Sequence, residues 1–131
     1  YIRNNHIISI QSDAFNGLTN LLFLDLQENK ISIIKDSAFS NLSSLIKLEL
    51  SYNRVQTITN KTFEKLESLE SLYLNNNKIT IIEDGAFHKL NLLDELNLSD
   101  NKLDSTTVTD LEEIKPESLI LTIDNQTPPE F

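Results

Sequence analysis

The chain has no cysteine, methionine or tryptophan among its 131 residues, and it has only two glycines and two histidines. Without cysteine, no disulfide can form within the chain, and neither a thiolate nucleophile nor a soft metal ligand is available. Gly17 and Gly85 are too far apart to build a Gly-rich phosphate loop. His6 and His88 have no second histidine near them in sequence. These absences predict a protein that is not an enzyme and that holds no metal and no cofactor.

Long apolar runs are also missing. No segment approaches the roughly 18 continuous apolar residues that a membrane-spanning helix needs, so we expect no membrane insertion of this segment. Twenty acidic residues against eleven basic residues give a net charge of −9. Such an excess repels nucleic acid and anionic membrane surfaces. The composition therefore predicts no nucleic-acid ligand, and it favours partners that are basic, neutral or locally patterned.

The chain is rich instead in a repeat of 24 residues. An asparagine recurs at this spacing, with an aliphatic residue two positions after each one. The asparagine column is Asn5, Asn29, Asn53, Asn77 and Asn101. Leucine and phenylalanine columns keep the same period, among them Leu24, Leu48, Leu72 and Leu96, and Phe15, Phe39, Phe63 and Phe87. Such a fixed period indicates units that bury their apolar faces by stacking on one another.

The leucine and asparagine columns each predict a structural role. The Leu-x-Leu segment alternates with a period of two, which predicts one half-buried strand per repeat, and stacked repeats then form a parallel sheet. The asparagine lies where the chain leaves the strand and turns. Its amide both donates and accepts, so a column of such side chains can satisfy backbone groups of successive turns. We therefore predict a structural asparagine ladder.

These residues resemble the leucine-rich repeat family, in the form L-x-x-L-x-L-x-x-N-x-I-x-x-I-x-x-x-A-F-x-x-L-x-x. The 24-residue length with Ala-Phe is similar to the "typical" type common in extracellular eukaryotic proteins. The resemblance covers residues 1 to 103 without insertion or deletion. It implies an α/β solenoid, namely a segment of a right-handed horseshoe with a parallel β-sheet on the concave face and irregular convex loops.

The pattern divides the chain into three parts. Residues 1–103 hold the leucine-rich repeats, residues 104–125 form an irregular terminal repeat or C-terminal cap, and residues 126–131 form a tail or linker. Tyr1 falls within a strand position, so the first repeat is incomplete. This start and the missing methionine lead us to expect further residues upstream.

The cap is predicted to be a short helix followed by a strand. Apolar residues three apart indicate the helix between Ser105 and Lys115, with a capping box formed by Thr109 and Glu112. The strand over residues 119–123 has two possible registers, and a one-residue slip exchanges its faces. Asn125 continues the asparagine spacing in one register. We expect the other, because it buries three aliphatic side chains, Leu119, Leu121 and Ile123.

The variable positions of the strands project together on the concave face and are the predicted partner-binding surface. The aromatic members are the expected anchors, because they offer large contact area at little entropic cost. The predicted residues are Tyr1, Phe23, Asp25, Lys47, Glu49, Tyr52, Glu70, Tyr73, Glu95 and Asn97. The resulting hypothesis is a protein–protein recognition module that binds a protein ligand or co-receptor. The alternative is a structural or assembly subunit, or a scaffold, that docks other chains through the solenoid ends.

The compartment is predicted from the resemblance. Extracellular members often carry cysteine-rich caps, which this chain lacks, so either its disulfides lie outside the chain or it works in a reducing compartment. The Ala-Phe repeat favours the first, a secreted or cell-surface protein. Four sequons are possible N-glycosylation sites, at Asn41, Asn60, Asn97 and Asn125. We expect Asn60 to be modified first, whereas a glycan at Asn97 would obstruct the concave face.

Overall fold

The computed structural model describes residues 2–129. Within this range the chain forms nine short strands and one helix. They are β1 (Ser9–Ile10), β2 (Phe23–Asp25), β3 (Ile33–Ile34), β4 (Lys47–Glu49), β5 (Thr57–Ile58), β6 (Ser71–Tyr73), β7 (Ile81–Ile82), β8 (Glu95–Asn97), α1 (Ser105–Ile114) and β9 (Ile120–Thr122). One strand of the main sheet recurs in each turn, as the period-two leucines predict.

The main sheet has five parallel strands in the order β2-β4-β6-β8-β9. Its register follows the repeat, since Leu24 pairs with Leu48, Leu48 with Leu72, and Leu72 with Leu96. The return segments form two smaller parallel pairs, β1 with β3 and β5 with β7. The chain is therefore a parallel-strand solenoid, and the outward side chains of its five-stranded sheet form what we call the concave face.

The core lies between the main sheet and the loops that return to it. The leucine columns are buried along the solenoid, and Leu48, Leu50 and Leu72 are fully enclosed. Opposite the sheet, the four phenylalanine rings stack in register, with centroids 5.8, 6.1 and 6.1 Å apart. Each turn thus contributes the same apolar layer, which is why stability depends on neighbouring turns.

Four asparagines form the ladder that joins successive turns. The Asn53 Nδ2 donates to the carbonyls of Leu26 and Leu50, both at 3.0 Å, and its Oδ1 accepts from the Ile31 amide at 3.1 Å. The same three contacts recur at the equivalent positions of Asn29, Asn77 and Asn101. Each side chain therefore pairs backbone groups of a buried turn that no strand neighbour reaches.

Asn5 departs from the expected ladder. It is exposed, and its Nδ2 donates to the Arg3 carbonyl at 3.1 Å. The physical reason is its position, because the partners of a rung lie 22 and 27 residues before it, as Asn53 shows. For Asn5 those positions would precede residue 1.

The helix α1 replaces the convex loop of the last turn. Asp104 is its N-cap, with extended backbone angles, and its carboxylate accepts from the Thr107 amide at 2.8 Å. The capping box predicted at Thr109 and Glu112 is wrong, because both residues lie inside the helix. Asp104 is the N-cap because its carboxylate accepts a hydrogen bond from an amide of the first turn. It precedes Thr109, the first residue of the predicted box, by more than one helical turn.

Protonating the Asp104 cap should weaken the fold. The hydrogen bond from the Thr107 amide, followed by that from its hydroxyl, lowers the pKa of Asp104 below its ordinary value. A lowered folded-state pKa means that the stabilisation is complete above about pH 4 and is lost as the pH falls through the folded pKa. We expect the stability advantage of wild type over Asp104→Ala, measured by urea unfolding, to shrink as the pH falls below about 4 and through the folded-state pKa.

Asp104→Asn keeps a capping side chain that does not titrate. The difference in stability between Asp104→Asn and Asp104→Ala should stay constant over the same pH range. Parallel pH profiles for wild type and Asp104→Asn would contradict the capping role of the carboxylate.

The terminal strand β9 adopts the predicted register. Leu121 pairs with Leu96, Ile123 is buried, and Ile120 points outward. The offset from β8 is 25 residues instead of 24, as the pairing of Leu96 with Leu121 shows. Leu119 and Leu121 pack against the core.

Gln126 is the next rung of the ladder. Its Nε2 donates to the carbonyls of Leu98 at 2.8 Å and Ile123 at 3.1 Å, and its Oε1 accepts from the Leu103 amide at 3.1 Å. The Thr127 amide donates to the Asn101 carbonyl at 2.9 Å. Assigning residues 126 and 127 to the tail was therefore wrong, because both close the last turn.

Candidate partner-binding surface

Seven of the predicted binding residues lie on the concave face, in strands β2, β4, β6 and β8. They alternate with the inward leucines, so all seven side chains project away from the core. They are Phe23, Asp25, Lys47, Glu49, Tyr73, Glu95 and Asn97. The main sheet thus brings together residues that the sequence spaces about 24 positions apart.

The other three predicted residues lie elsewhere. Glu70 is exposed and immediately precedes β6, at the edge where the strands begin. Tyr52 is exposed in the turn after β4, at the opposite edge. Tyr1 lies outside the residues that the structure describes. The concave face is therefore flanked by Glu70 on one edge and Tyr52 on the other.

Three neighbouring strands are linked across the concave face by Lys47, Tyr73 and Glu95. The Lys47 Nζ lies 5.2 Å from the Tyr73 ring centroid, within cation–π distance. The Tyr73 hydroxyl donates to Glu95 Oε2 at 2.8 Å. Burial, followed by the hydrogen bond to Glu95 and its charge, raises the pKa of Tyr73. The phenol therefore stays a neutral donor at physiological pH, and its ring is held at the centre of the face.

Side chains at the ends of the strands are oriented by their own backbone. Asp25 Oδ1 accepts from the Gln27 amide at 3.1 Å, and Asn97 Oδ1 accepts from the Ser99 amide at 3.0 Å. Glu49 accepts from the Ser51 amide and hydroxyl in the same way. These polar groups are held in place before any partner binds, which reduces the entropy lost on binding.

Apolar side chains mark both ends of the face. Phe23 is 63% exposed and Ile120 is 66% exposed, with Leu22 beside Phe23 at the first strand. Ile120 pairs with Glu95 across β8 and β9. Sequence reasoning left Ile120 out of the surface, although the register that buries Leu121 places its neighbour outward. Exposed aromatic side chains are enriched at the core of protein–protein interfaces, and Ile120 adds exposed apolar area at the other end of the face.

Tyr52 has a strained backbone. Its φ is 59°, in the left-handed region that every residue before a ladder position adopts. Asparagine or aspartate fills most of these positions, and such residues tolerate this conformation better than tyrosine. The equivalent residues are Asn4, Glu28, Asn76, Asp100 and Asn125. Retaining tyrosine here is compatible with a contact role at the edge of the face.

Tyr52→Asn should therefore stabilise the protein. We expect the free energy of unfolding to rise by about 0.5–1 kcal/mol, because asparagine relieves the left-handed strain. Urea unfolding measures the change. Tyr52→Phe keeps the left-handed strain and should leave the free energy of unfolding unchanged. Equal free energies of unfolding for the two variants would contradict a strained backbone at Tyr52.

The sequons differ in their surroundings. Asn60 and Asn125 are exposed, while Asn41 and Asn97 are half-buried. Asn97 lies on the concave face and is engaged with the Ser99 amide. Thr62 of the Asn60 sequon is buried, and its hydroxyl accepts from the Thr59 amide at 2.9 Å. Exposure alone therefore favours Asn60 and Asn125 as attachment points.

Two further features bear on the class of site. Within residues 2–129, no three His, Asp or Glu side chains gather closely enough to hold a metal ion. In the same range, no helix has the length and apolar content to cross a membrane. The concave face is instead a polar surface with aromatic and aliphatic side chains, which suits contact with a macromolecule.

Comparison with known proteins decides the family. The profile described as "Leucine rich repeat" matches residues 1–55 and 44–103. The chain belongs to the leucine-rich repeat family. No match was found among curated protein sequences. The fold predicted from the resemblance, an α/β solenoid of the horseshoe type, is confirmed.

Solved structures of leucine-rich repeat proteins superpose on the chain. TLR13 in complex with ssRNA13 matches with a TM-score of 0.83 and 33% identity, over 95% of this chain and 18% of that one. The Drosophila Toll–Spatzle complex in glycosylated form matches with a TM-score of 0.83, 24% identity and the same coverages. A second Toll–Spatzle structure gives 0.80 and 25%. The chain thus spans about a fifth of these relatives.

These solved complexes bear on the kinds of partner that the sequence predicts. TLR13 and Toll were each solved as complexes, which supports a recognition module in general terms. The prediction that nucleic acid is excluded is not supported, because TLR13 was solved with an RNA. Net charge alone does not decide this point, since a long-range repulsion can be overcome by a local basic patch elsewhere on a larger protein.

Proposed function

We propose that the chain is a protein-recognition segment whose concave face binds a protein ligand or co-receptor. The observation that carries the proposal is the preorganised Lys47–Tyr73–Glu95 link at the centre of the face, with exposed Phe23 and Ile120 at its ends. A rigid central aromatic flanked by apolar side chains is the composition of an interaction hot spot. The leucine-rich repeat relatives solved as complexes support the same class of function.

Charge favours a protein with a basic contact surface. Asp25, Glu49 and Glu95 lie on the strands, and Glu70 and Asp94 flank them at one edge, whereas Lys47 is the basic residue of these strands. Complementary potentials speed encounter and select the partner. A polyanion such as RNA would meet a repulsive surface here.

The area of the face limits the affinity of this chain alone. Five strands about 4.8 Å apart, each about 10 Å long because it has three residues, cover about 190 Å². A standard interface needs about 800 Å² per partner. The partner therefore also contacts the edges, where Tyr52 and Glu70 lie, or further repeats of a longer protein.

We place the chain outside the cytosol, in a secreted, cell-surface or lumenal protein. The 24-residue Ala-Phe repeat supports this location, and Drosophila Toll was solved in a glycosylated form. Of the four sequons, we propose Asn60 and Asn125 as the attachment points. A mass increase at these residues after expression in a eukaryotic host would be the direct observation, and a bare chain would count against it.

A binding screen tests the concave face. The 131-residue chain is applied to an array of secreted and cell-surface proteins, and each protein it retains is measured again with Tyr73→Ala plus Asp25→Lys. We expect at least a tenfold loss of affinity, because the central ring and a preorganised carboxylate are removed. Single-stranded RNA serves as a second probe and should bind at least tenfold more weakly than the retained protein.

The matched control makes the same kind of change away from the concave face, with Ile81→Ala plus Glu67→Lys. Ile81 is exposed on β7, and Glu67 is exposed in the loop after Leu66. We expect this control to change the affinity for the partner less than twofold. Loss of binding in this control alone would contradict recognition at the concave face. A complex through the solenoid ends that light scattering detects and the concave variant does not affect would favour the assembly role.

A further inference from the structure

The stack of phenylalanine rings ends abruptly at Phe87. Neighbouring rings lie 5.8 to 6.1 Å apart with interplanar angles of 11° to 17°. Phe39 and Phe63 are covered on both sides and are buried, whereas Phe87 is half-buried. The equivalent position in the next turn is Leu111 of α1, so the column itself supplies no fifth ring next to Phe87. One aromatic face is left without a stacking partner from the column.

A groove opens at this point between α1 and the convex loop that precedes β8. Its volume is about 720 Å³, and Phe87, Leu90, Leu93 and Leu111 line it. Leu90 and Leu93 are 7% and 8% exposed, while Leu66 and Leu69, their equivalents one turn earlier, are 1% and 0% exposed. The helix therefore covers the last apolar layer less completely than a repeat would. We call this site the convex groove.

The rim of the convex groove is acidic. Glu83 and Asp84 lie on the loop side, Asp110 and Glu113 lie on the helix side, and Lys115 is the lysine of the lining. Across residues 2–129 the salt bridge found is Arg3–Asp25, at the other end of the solenoid. These four carboxylates thus have no ion-pair partner within that range. An apolar floor with an acidic rim is complementary to an apolar group that carries positive charge beside it.

We propose that the convex groove binds an aromatic side chain carried by a basic segment of a partner protein. The ring lies against Phe87 and continues the phenylalanine stack, and basic residues on either side of it pair with the rim carboxylates. An offset-stacked ring is the geometry that the existing column already uses, and aromatic pairs gain from it beyond the area they bury. The volume falls within the range of ligand-binding pockets. This site is separate from the concave face and does not depend on it.

A tryptophan peptide provides the probe, because the chain itself has no tryptophan. The peptide Ac-Lys-Lys-Trp-Leu-Lys-Lys-NH2 is titrated with the 131-residue chain, and tryptophan emission is followed at low salt. We expect a blue shift on binding, and at least tenfold weaker binding of Ac-Glu-Glu-Trp-Leu-Glu-Glu-NH2. Tryptamine, a small aromatic cation, should also bind at least tenfold more weakly, because it reaches only part of the rim.

Two variants locate the probe. Leu111→Phe places a ring in the column position and should weaken peptide binding at least tenfold, while its thermal midpoint reports whether the fold is kept. Glu113→Lys, on the rim, should weaken binding of the basic peptide at least fivefold. Glu112→Lys makes the same charge change one residue away, outside the lining, and should alter it less than twofold.

The following results would overturn the proposal. No emission shift with wild type, equal effects of Glu112→Lys and Glu113→Lys, or tryptamine binding as tightly as the peptide would each do so. Self-association of the chain in light scattering that disappears in Leu111→Phe would instead identify a second copy as the occupant. Phe23→Ala changes the concave face alone, so loss of peptide binding in that variant would also contradict a site at the groove.

Discussion

Replacing Phe63 by alanine should lower the free energy of unfolding by about 3–5 kcal/mol, the range for removing a fully enclosed aromatic side chain. Phe63 is 2% exposed and stacks on both Phe39 and Phe87 at 6.1 Å. Its removal leaves a cavity that rigid neighbouring turns cannot close, and it breaks two aromatic contacts. Urea unfolding followed by circular dichroism measures the change.

The control is Phe23→Ala, which makes the same substitution at an exposed position of the concave face. Its stability should stay within about 0.5 kcal/mol of wild type. A loss below about 1 kcal/mol for Phe63→Ala would show that the phenylalanine column does not hold the turns together as described.

Asn77→Ala should cost about 3 kcal/mol, because it leaves the buried amide of Val55 without an acceptor and removes donors from two carbonyls. Asn77 Oδ1 accepts from that amide at 3.0 Å, and its Nδ2 donates to Leu50 at 3.0 Å and Leu74 at 3.1 Å. Both carbonyls keep one other asparagine donor, so the unpaired amide is the main cost. Urea unfolding again gives the value.

Asn5→Ala is the matched control, since it removes the same residue type from the same column. Asn5 is exposed, and among residues 2–129 its side chain bonds with the nearby Arg3 carbonyl alone. We expect a change below about 0.5 kcal/mol. Equal losses at Asn5 and Asn77 would mean that the ladder hydrogen bonds contribute little, and that asparagine is retained for turn geometry alone.

Periodicity was sufficient to predict the strands and the core. Leu24, Leu48, Leu72 and Leu96 pair as the spacing requires, because each residue of a stacked repeat has one neighbour 24 positions away. The outward placement of Phe23, Lys47 and Tyr73 follows from the same alternation. A repeat of fixed length thus converts sequence distance directly into sheet register.

Periodicity did not predict the structure at the C-terminal end of the solenoid. The last turn gains one residue before β9, so Gln126 and not Asn125 holds the same place after Leu121 that Asn101 holds after Leu96. A search for asparagine at every 24th position therefore misses Gln126. The Asp104 cap was missed because capping depends on local backbone angles, which side-chain periodicity does not report.

The candidate site was predictable in position but less so in chemistry. Alternation identified which side chains share the concave face. It did not reveal that Tyr73 lies between Lys47 and Glu95, because this depends on rotamers of long side chains on three strands. The convex groove was also invisible, since it arises from how incompletely α1 covers the last apolar layer.

Hydroxyl-radical footprinting of the chain with and without a partner retained in the array screen tests recognition at the concave face most directly. Aromatic side chains react readily when exposed, so Phe23 and Tyr73 report this face, while Ile81 and Leu92 report exposed surface elsewhere. We expect the partner to reduce oxidation of Phe23 and Tyr73 at least threefold and to leave Ile81 and Leu92 unchanged. Protection of Ile81 and Leu92 with Phe23 and Tyr73 unaffected would contradict recognition at the concave face.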